Sequence, residues 1–438
     1  MDSQTYVNFF RRTSPYIHAH RGKTFVIALS GDAVLDANCQ RLLADIALLQ
    51  SLGVHIVLVH GARPQIDRRL AQSSLSSELH DHLRITGIAA MHCVKEAIGS
   101  TRLQLESELS MGLPNSPMHG AEMRVMGGNF VTAKPLGVID GVDHLHSGEV
   151  RRIDRTGIQR QLECGAIVLL SPIGFSPTGE AFNLSYLDVA THTATAIEAD
   201  KLICISSTPG ICVDGALQRS LSLPAVEALL KHLPLDSQAQ LERKLLSASL
   251  HACKGGVGRA HLIGFGDDGA LLSELFTREG SGTLIVQDYS ETLRPASIDD
   301  VGGIIDLIQP LEEAGVLVRR SRDLLETEIS RFMVALHPEG FLIGCAALYP
   351  IGSSGSGEIA CVATHADFLS QGTASRLLSA IEAHARNQSM DRLYVLTTQA
   401  AHWFQEQGFT ATTVESLPDD KKLLYNYQRS ARVLCKKI

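Results

Sequence analysis

The chain runs to 438 residues, which at about 150 residues per domain makes two or three units rather than one core. Its 45% hydrophobic and 20% charged content is that of an ordinary globular protein, and the formal net charge of −8 argues against bulk nucleic-acid binding. No apolar run approaches the roughly 18 residues of a membrane span, the N-terminus lacks the apolar core of a secretory signal, and the nine cysteines form no CxxC pair, so a reduced, cytoplasmic protein without metal or disulfide framework is expected.

From residue 24 short apolar runs alternate with helical patterns. FVIAL (from Phe25) and VHIVLV (from Val54) predict buried strands, and Leu42, Leu43, Ile46 and Leu49 mark one helix face between them. AIVLL, KLICIS and RAHLIGF follow as further strands with helical stretches between. This alternation predicts an α/β unit built on a largely parallel sheet, reaching to about residue 285. HGARPQI (60–66) places a glycine turn between a strand and a helix, where backbone N–H groups can face an anion.

Residues 287–297 (QDYSETLRPAS) are polar and aperiodic and are expected to be a linker. Beyond them a helix is predicted over 298–311, strands in FLIGCAAL, GEIACVA and LYVLTT, and a helix carrying Ala374, Leu377, Leu378, Ile381 and Ala385 on one side. A further helix, AHWFQEQ, stops at Gly408. GSSGSG at 352–357 reads as a flexible hairpin loop. The second unit is thus a smaller α+β domain.

KTFVIALSGD, VHGARPQI, GEAFNLSYLDVATHTATAIEADKLICISSTPGI and LLSELFTREGSGT occur in the order of the amino-acid kinase family, and residues 20–285 resemble acetylglutamate kinases. That resemblance implies a parallel-sheet sandwich. It departs where phosphoryl transfer needs positive charge. Ala28 stands at the family's lysine, Ser30 replaces a glycine, Leu187 occupies an aspartate position with Asp188 one place off, and LERKLLSAS replaces the Gly-Gly…Lys motif. A kinase-inactive scaffold is expected. SPYIHAHRGKTFVI resembles the N-terminal helix junction of arginine-sensitive members, which implies an L-arginine site at Tyr16, Lys201, His261, Glu274 and Gly280.

GEIACVATHADFLSQGTASRLLSAIEAHAR and HWFQEQGF resemble the two central motifs of the GNAT acetyltransferases. The resemblance implies an acetyl-CoA site along Cys361, Val362 and Ala363 and at the loop and helix start Gln371, Gly372, Thr373 and Ala374, the helix N-terminus receiving pyrophosphate. The loop departs from its family pattern at Leu369, and Phe404 stands where many members carry a tyrosine acid.

The two domains together resemble the bacterial N-acetylglutamate synthase family over essentially the whole chain, with an N-terminal helix in 1–20, a kinase-like domain in 21–286, a linker in 287–297 and a GNAT domain in 298–438. The resemblance implies acetyl transfer from acetyl-CoA to L-glutamate in the first step of arginine biosynthesis, with feedback inhibition by L-arginine. No cofactor is bound permanently and acetyl-CoA is a co-substrate. It further implies Glu358 as general base, Thr397 as a proton donor to the leaving thiolate, and Arg320, Arg429 and Ser430 as the glutamate-binding set. Partners are those small molecules and further copies of the chain, a hexamer by family expectation, with neither nucleic acid nor membrane. Strand alternation puts Glu358, Ala360 and Val362 on one face, and Ile359, Cys361 and Ala363 on the other. Two alternatives remain open: a non-catalytic arginine sensor with a degenerate acetyl-CoA loop, and an acetyltransferase for another amino acid.

Overall fold

In a computed structural model the chain divides into two compact units, Met1–Tyr289 and Ser290–Ile438. The structure describes residues 13–76, 78–80, 83–111, 120, 122–213, 215–233, 237–277, 280–287, 292–337, 340–352, 355–369, 372–422 and 431–438.

The first unit is organised by strands β1 (Thr24–Leu29), β2 (His55–His60), β3 (Val125–Met126), β4 (Ile167–Leu170), β5 (Lys201–Ser206), β6 (Ser220–Ser222), β7 (Arg259–Gly264) and β8 (Thr283–Val286). They form one sheet in the order β6-β8-β7-β5-β1-β2-β4-β3, parallel except between β7 and β8. The central strands are apolar on both sides because both faces are covered. Val26, Ala28, Val57, Val59, Leu202 and Cys204 pack into one core, and Phe25, Ile27, Ile56, Leu58, Ile203 and Ile205 into the other. The parallel sheet expected from the sequence is therefore present. A second, four-stranded sheet is added in the order Ala181–Asn183, Ile173–Phe175, Val131–Pro135, Gly148–Ile153.

The second unit is a seven-stranded sheet of β9 (Thr292–Pro295), β10 (Phe332–Leu336), β11 (Leu342–Ile351), β12 (Ser356–Thr364), β13 (Arg392–Thr397), β14 (Thr410–Thr412) and β15 (Arg432–Lys437). Its order is β9-β10-β11-β12-β13-β15-β14, antiparallel except between β12 and β13. The helix Thr373–Asn387 joins that parallel pair and buries Leu377, Leu378, Ile381 and Ala385 on one sheet face. The helix lies close to β11 at Gly344, where a Cβ would stand 2.9 Å from Leu377 Cδ1 and push that side chain aside. The helix Val301–Glu313 covers the opposite face with Val301, Ile304, Leu307 and Ile308.

Three details differ from expectation. Residues 292–295, read as linker, are the edge strand β9; an edge position tolerates Pro295 because that side of the strand needs no donor. Ser356 and Gly357, read as loop, begin β12. The third lies inside β12. Its register against β11 slips between Cys345 and Ala347, so Cys361 and Val362 together face Ala346, and Cys361 adopts φ +54°. This β-bulge breaks the alternation. Ile359 packs with the Thr373–Asn387 core, whereas Cys361 and Ala363 pack with the Val301–Glu313 core. Glu358 lies directly across from Tyr349, which packs with that same second core. Paired residues share a side of the sheet, so Glu358 and Cys361 come to one side rather than to opposite ones.

Candidate active site and ligand sites

β12 and β13 pair only from Ser356–Arg392 to Ile359–Val395, although β12 runs on to Thr364 and β13 to Thr397. The two parallel strands therefore part after Ile359. Beyond that point the β12 backbone faces an opening instead of a strand, leaving amides available to a ligand oxygen.

Side chains gather at this opening. Arg320 reaches the Tyr349 hydroxyl and lies beside Cys361, while its backbone N–H donates to Glu312 Oε1 at 2.9 Å. Burial works against the guanidinium, yet its pKa stands above the usual value because Cys361, Tyr349 and Glu312 favour the cation. Tyr349 donates its hydroxyl to Glu328 Oε2 at 2.8 Å, and burial, reinforced by that acceptor, pushes it up to about 12. The Cys345 thiol, a hydrogen-bonding neighbour of Cys361, holds the Cys361 thiol below its ordinary range, and Arg320 adds to the effect. Glu358 forms an ion pair with Lys421, the side chains being 13% and 23% exposed. Thr397 Oγ1 accepts from the backbone of Ala400 at 2.9 Å and of Gln399 at 3.3 Å, which leaves its hydroxyl hydrogen available to donate. Phe404 is buried edge-on against Trp403 and Phe409 and has no proton to give.

At the start of the Thr373–Asn387 helix, Gly372 is the N-cap with φ +80°, Thr373 is buried and Ala374 half-buried. Leu369 is 61% exposed on the preceding loop. Arg376 stands beside Gly372 in the first turn. A cation there opposes the helix dipole, and an anion at the amides would relieve the conflict. Gln371, Arg429 and Ser430, all expected at the site, lie outside the described residues. Tyr349, Arg376 and Lys421 do not stand out in the sequence. Pairing in register with Glu358 is the signal for Tyr349, and a first-turn arginine is the signal for Arg376. Lys421 sits in a charged run, PDDKK, that resembles any solvated surface.

In the first unit, His261 on β7 and Glu274 on the helix Ala270–Phe276 form a buried pair, Nδ1 to Oε1 at 2.7 Å with each side chain 4% exposed. The other Glu274 oxygen accepts from the amides of Ser281 at 2.8 Å and Gly282 at 2.9 Å. Burial opposes ionisation, but the His261 bond and charge with these two amides hold the carboxyl below its ordinary value. Gly280 has φ +63°, and a Cβ there would stand 2.5 Å from Glu274 Oε2. Lys201 is buried at the start of β5 with its ammonium 5.6 Å from the Phe25 ring centre. Residues 13–20 are helical; Tyr16 packs against the core that contains Phe25, and His20 Nε2 meets the carbonyl of Leu275 at 2.8 Å. Lys201, His261, Glu274, Gly280 and the helix bearing Tyr16 thus border one face of the sheet.

The kinase-type positions are filled differently. Ala28 is wholly buried, Ser30 caps the helix Gly31–Leu35 by accepting from Ala33, and Asp188 accepts from the amide of Val150 at 3.0 Å. His60 contacts Ser171 Oγ at 2.8 Å, and burial lowers it to about 4. The site has no cation at the lysine position. Among the described residues, no group of three or more His, Cys, Asp or Glu could hold a metal ion, and no helix is long and apolar enough to cross a membrane.

Comparison with known proteins agrees with this architecture. Residues 23–263 match the amino acid kinase family and residues 304–409 the acetyltransferase (GNAT) family. The chain is 52% identical over 429 residues to an amino-acid acetyltransferase of Azotobacter vinelandii and 51% identical to one of Pseudomonas putida, each alignment covering 98% of both chains. A crystal structure of N-acetylglutamate synthase from Neisseria gonorrhoeae, complexed with coenzyme A and L-arginine, is 34% identical with a TM-score of 0.84 over 99% of both chains. A second structure of that enzyme, complexed with coenzyme A and N-acetyl-glutamate, is 35% identical with a TM-score of 0.62 over the same coverage.

Proposed function

This chain belongs to the amino-acid acetyltransferase family, and we propose that it transfers the acetyl group of acetyl-CoA to the α-amino group of L-glutamate. The observation that carries the reading is the parting of β12 from β13 after Ile359, with Glu358, Cys361 and Arg320 gathered there. Acetyl-CoA lies along the amides near Cys361, Val362 and Ala363, with its pyrophosphate at Gln371–Ala374 beside Arg376. Glu358 takes the proton that the glutamate ammonium must lose before it can attack. Amides of the bulged strand receive the oxyanion as the thioester carbonyl becomes tetrahedral. Thr397 supplies a proton to the departing thiolate. Arg320, with Arg429 and Ser430, binds the substrate carboxylates; a planar guanidinium suits a carboxylate fork better than an ammonium does.

The first unit, in this reading, binds L-arginine at Tyr16, Lys201, His261, Glu274 and Gly280, and occupancy inhibits the transferase. A buried carboxylate on a framework of strand and helix is the group a guanidinium ligand requires. The solved relative with L-arginine bound supports the ligand class. The enzyme is assigned to the first step of arginine biosynthesis, in the cytoplasm, as a homo-oligomer and on family grounds a hexamer. Release of coenzyme A, followed with a thiol reagent, tests the proposal: it should depend on glutamate and fall on addition of arginine. No turnover at saturating substrates would favour the arginine-sensor reading instead.

A further inference from the structure

Lys421 forms an ion pair with Glu358. It stands on the short helix Asp419–Lys422, whose start is held by the Lys421 and Lys422 amides bonding back to Pro418. Leu417, just before it, is buried against Ile351, Tyr394 and Val433. The Tyr394 hydroxyl also donates to the carbonyl of Ser416 at 3.0 Å, and Tyr394 is the β13 partner of Glu358 in the parallel register. The segment is thereby moored next to the candidate base, with the lysine side chain only 23% exposed. A surface ion pair between long flexible side chains needs no such mooring.

The ε-ammonium on Glu358 has the same chemistry as the α-ammonium of an amino-acid substrate: a primary ammonium touching the carboxylate proposed to take its proton. We propose that Lys421 occupies the amine subsite of the free enzyme and is an internal acetyl acceptor when the amino-acid substrate is absent. This rests on the reading of Glu358 as the base of an acetyl-CoA site. In the step, Glu358 takes a proton from the ammonium, and the freed nitrogen pair attacks the thioester carbonyl carbon. A C–N bond forms, the C–S bond breaks, and the thiolate leaves to be protonated. The net change turns acetyl-CoA and the lysine ammonium into N-acetyl-lysine, coenzyme A and one released proton. Acetylation removes the charge that pairs with Glu358, and the amine substrate competes for the same place.

The test is incubation of the full chain with acetyl-CoA alone, followed by intact mass and peptide mapping. A single acetyl increment at Lys421 is expected, lost when glutamate is added and lost in Lys421→Arg and in Glu358→Gln. Lys134 and Lys254, whose side chains are 50% and 54% exposed, report uncatalysed acetylation. Labelling of Lys421 no greater than theirs, or labelling that survives Glu358→Gln, overturns the inference. Glutamate-dependent coenzyme A release is measured on the same preparation. Release without Lys421 labelling sinks this inference and leaves the proposed function standing. Labelling without release supports the inference and sinks glutamate as substrate, and neither signal sinks both.

Discussion

Replacing Glu274 by alanine probes the proposed ligand site of the first unit through the groups that depend on this carboxylate. The substitution removes three acceptor bonds, from His261 at 2.7 Å and from the amides of Ser281 and Gly282 at 2.8 and 2.9 Å. Breaking a buried pair from one side costs about 3–5 kcal/mol, since the partner stays behind without its charge. At roughly 2–4 °C per kcal/mol, the melting transition of this unit should fall by about 6–20 °C. Glu274→Gln keeps an oxygen for the two amides and should cost about 1–2 kcal/mol. Trp403, the sole tryptophan, lies in the second unit, so its fluorescence does not report this event. Calorimetry and hydrogen exchange at Ser281 and Gly282 do. The pH dependence adds a signature. Because the folded-state pKa of Glu274 lies below the ordinary carboxyl value, its stabilisation is complete above that value and is lost as pH falls through the folded one. Glu274→Gln should flatten that acid limb. Unchanged exchange at both amides in Glu274→Ala, with a melting shift under about 2 °C, would refute the argument that this carboxylate organises the loop.

Arg320→Ala should raise the glutamate KM by about 10- to 150-fold, the worth of a charge-assisted bond of roughly 1.5–3 kcal/mol, and change the acetyl-CoA KM much less. Steady-state kinetics with an unchanged glutamate KM removes Arg320 from the site. Glu358→Gln should lower kcat by roughly two to four orders of magnitude while acetyl-CoA binding, read by calorimetric titration, persists; a kcat near wild type excludes Glu358 as base. His60 has its folded pKa lowered from 6.5 to about 4, so the unfolded chain binds more protons between those values. His60 by itself therefore withdraws roughly 3 kcal/mol as pH falls from 6.5 to about 4, a window above that of Glu274, while Asp45, raised by burial to about 6, returns stability over much of the same range, so the His60 share is read as the difference between wild type and His60→Gln. A wild-type minus His60→Gln difference in calorimetric stability that stays flat across that window would contradict the buried, neutral His60. Gly280→Ala, at φ +63° and against Glu274 Oε2, should weaken arginine inhibition and stability together, measured as the arginine concentration for half-inhibition and the melting temperature. Full arginine sensitivity in that variant argues against the Gly280 loop as ligand contact.

The strands buried on both faces were legible in the sequence because their interiors are filled almost wholly by apolar residues; FVIAL and the LICI of KLICIS are such runs, and β1 and β5 fall on them. The four-stranded sheet was not, since its strands are short and carry charges outward, as in GEVRRI. Thr292–Pro295 failed for a related reason: an edge strand asks so little of its residues that polar TLRP passes for a linker. The candidate site shows a finer limit. The family resemblance pointed to Glu358, Cys361 and Arg320, but period-two alternation set Glu358 and Cys361 on opposite faces. One extra residue at Cys361, in a backbone conformation usually left to glycine, reverses that assignment and leaves no mark in the residue types. The reversal matters chemically. A base on the far side of β12 from Arg320 could not share a substrate with it, whereas the bulge puts carboxylate, guanidinium and open amides on the same side. Lys421 is the complementary case: its place at Glu358 comes from Leu417 and Tyr394 anchoring the chain before it, contacts that a charged PDDKK run cannot announce.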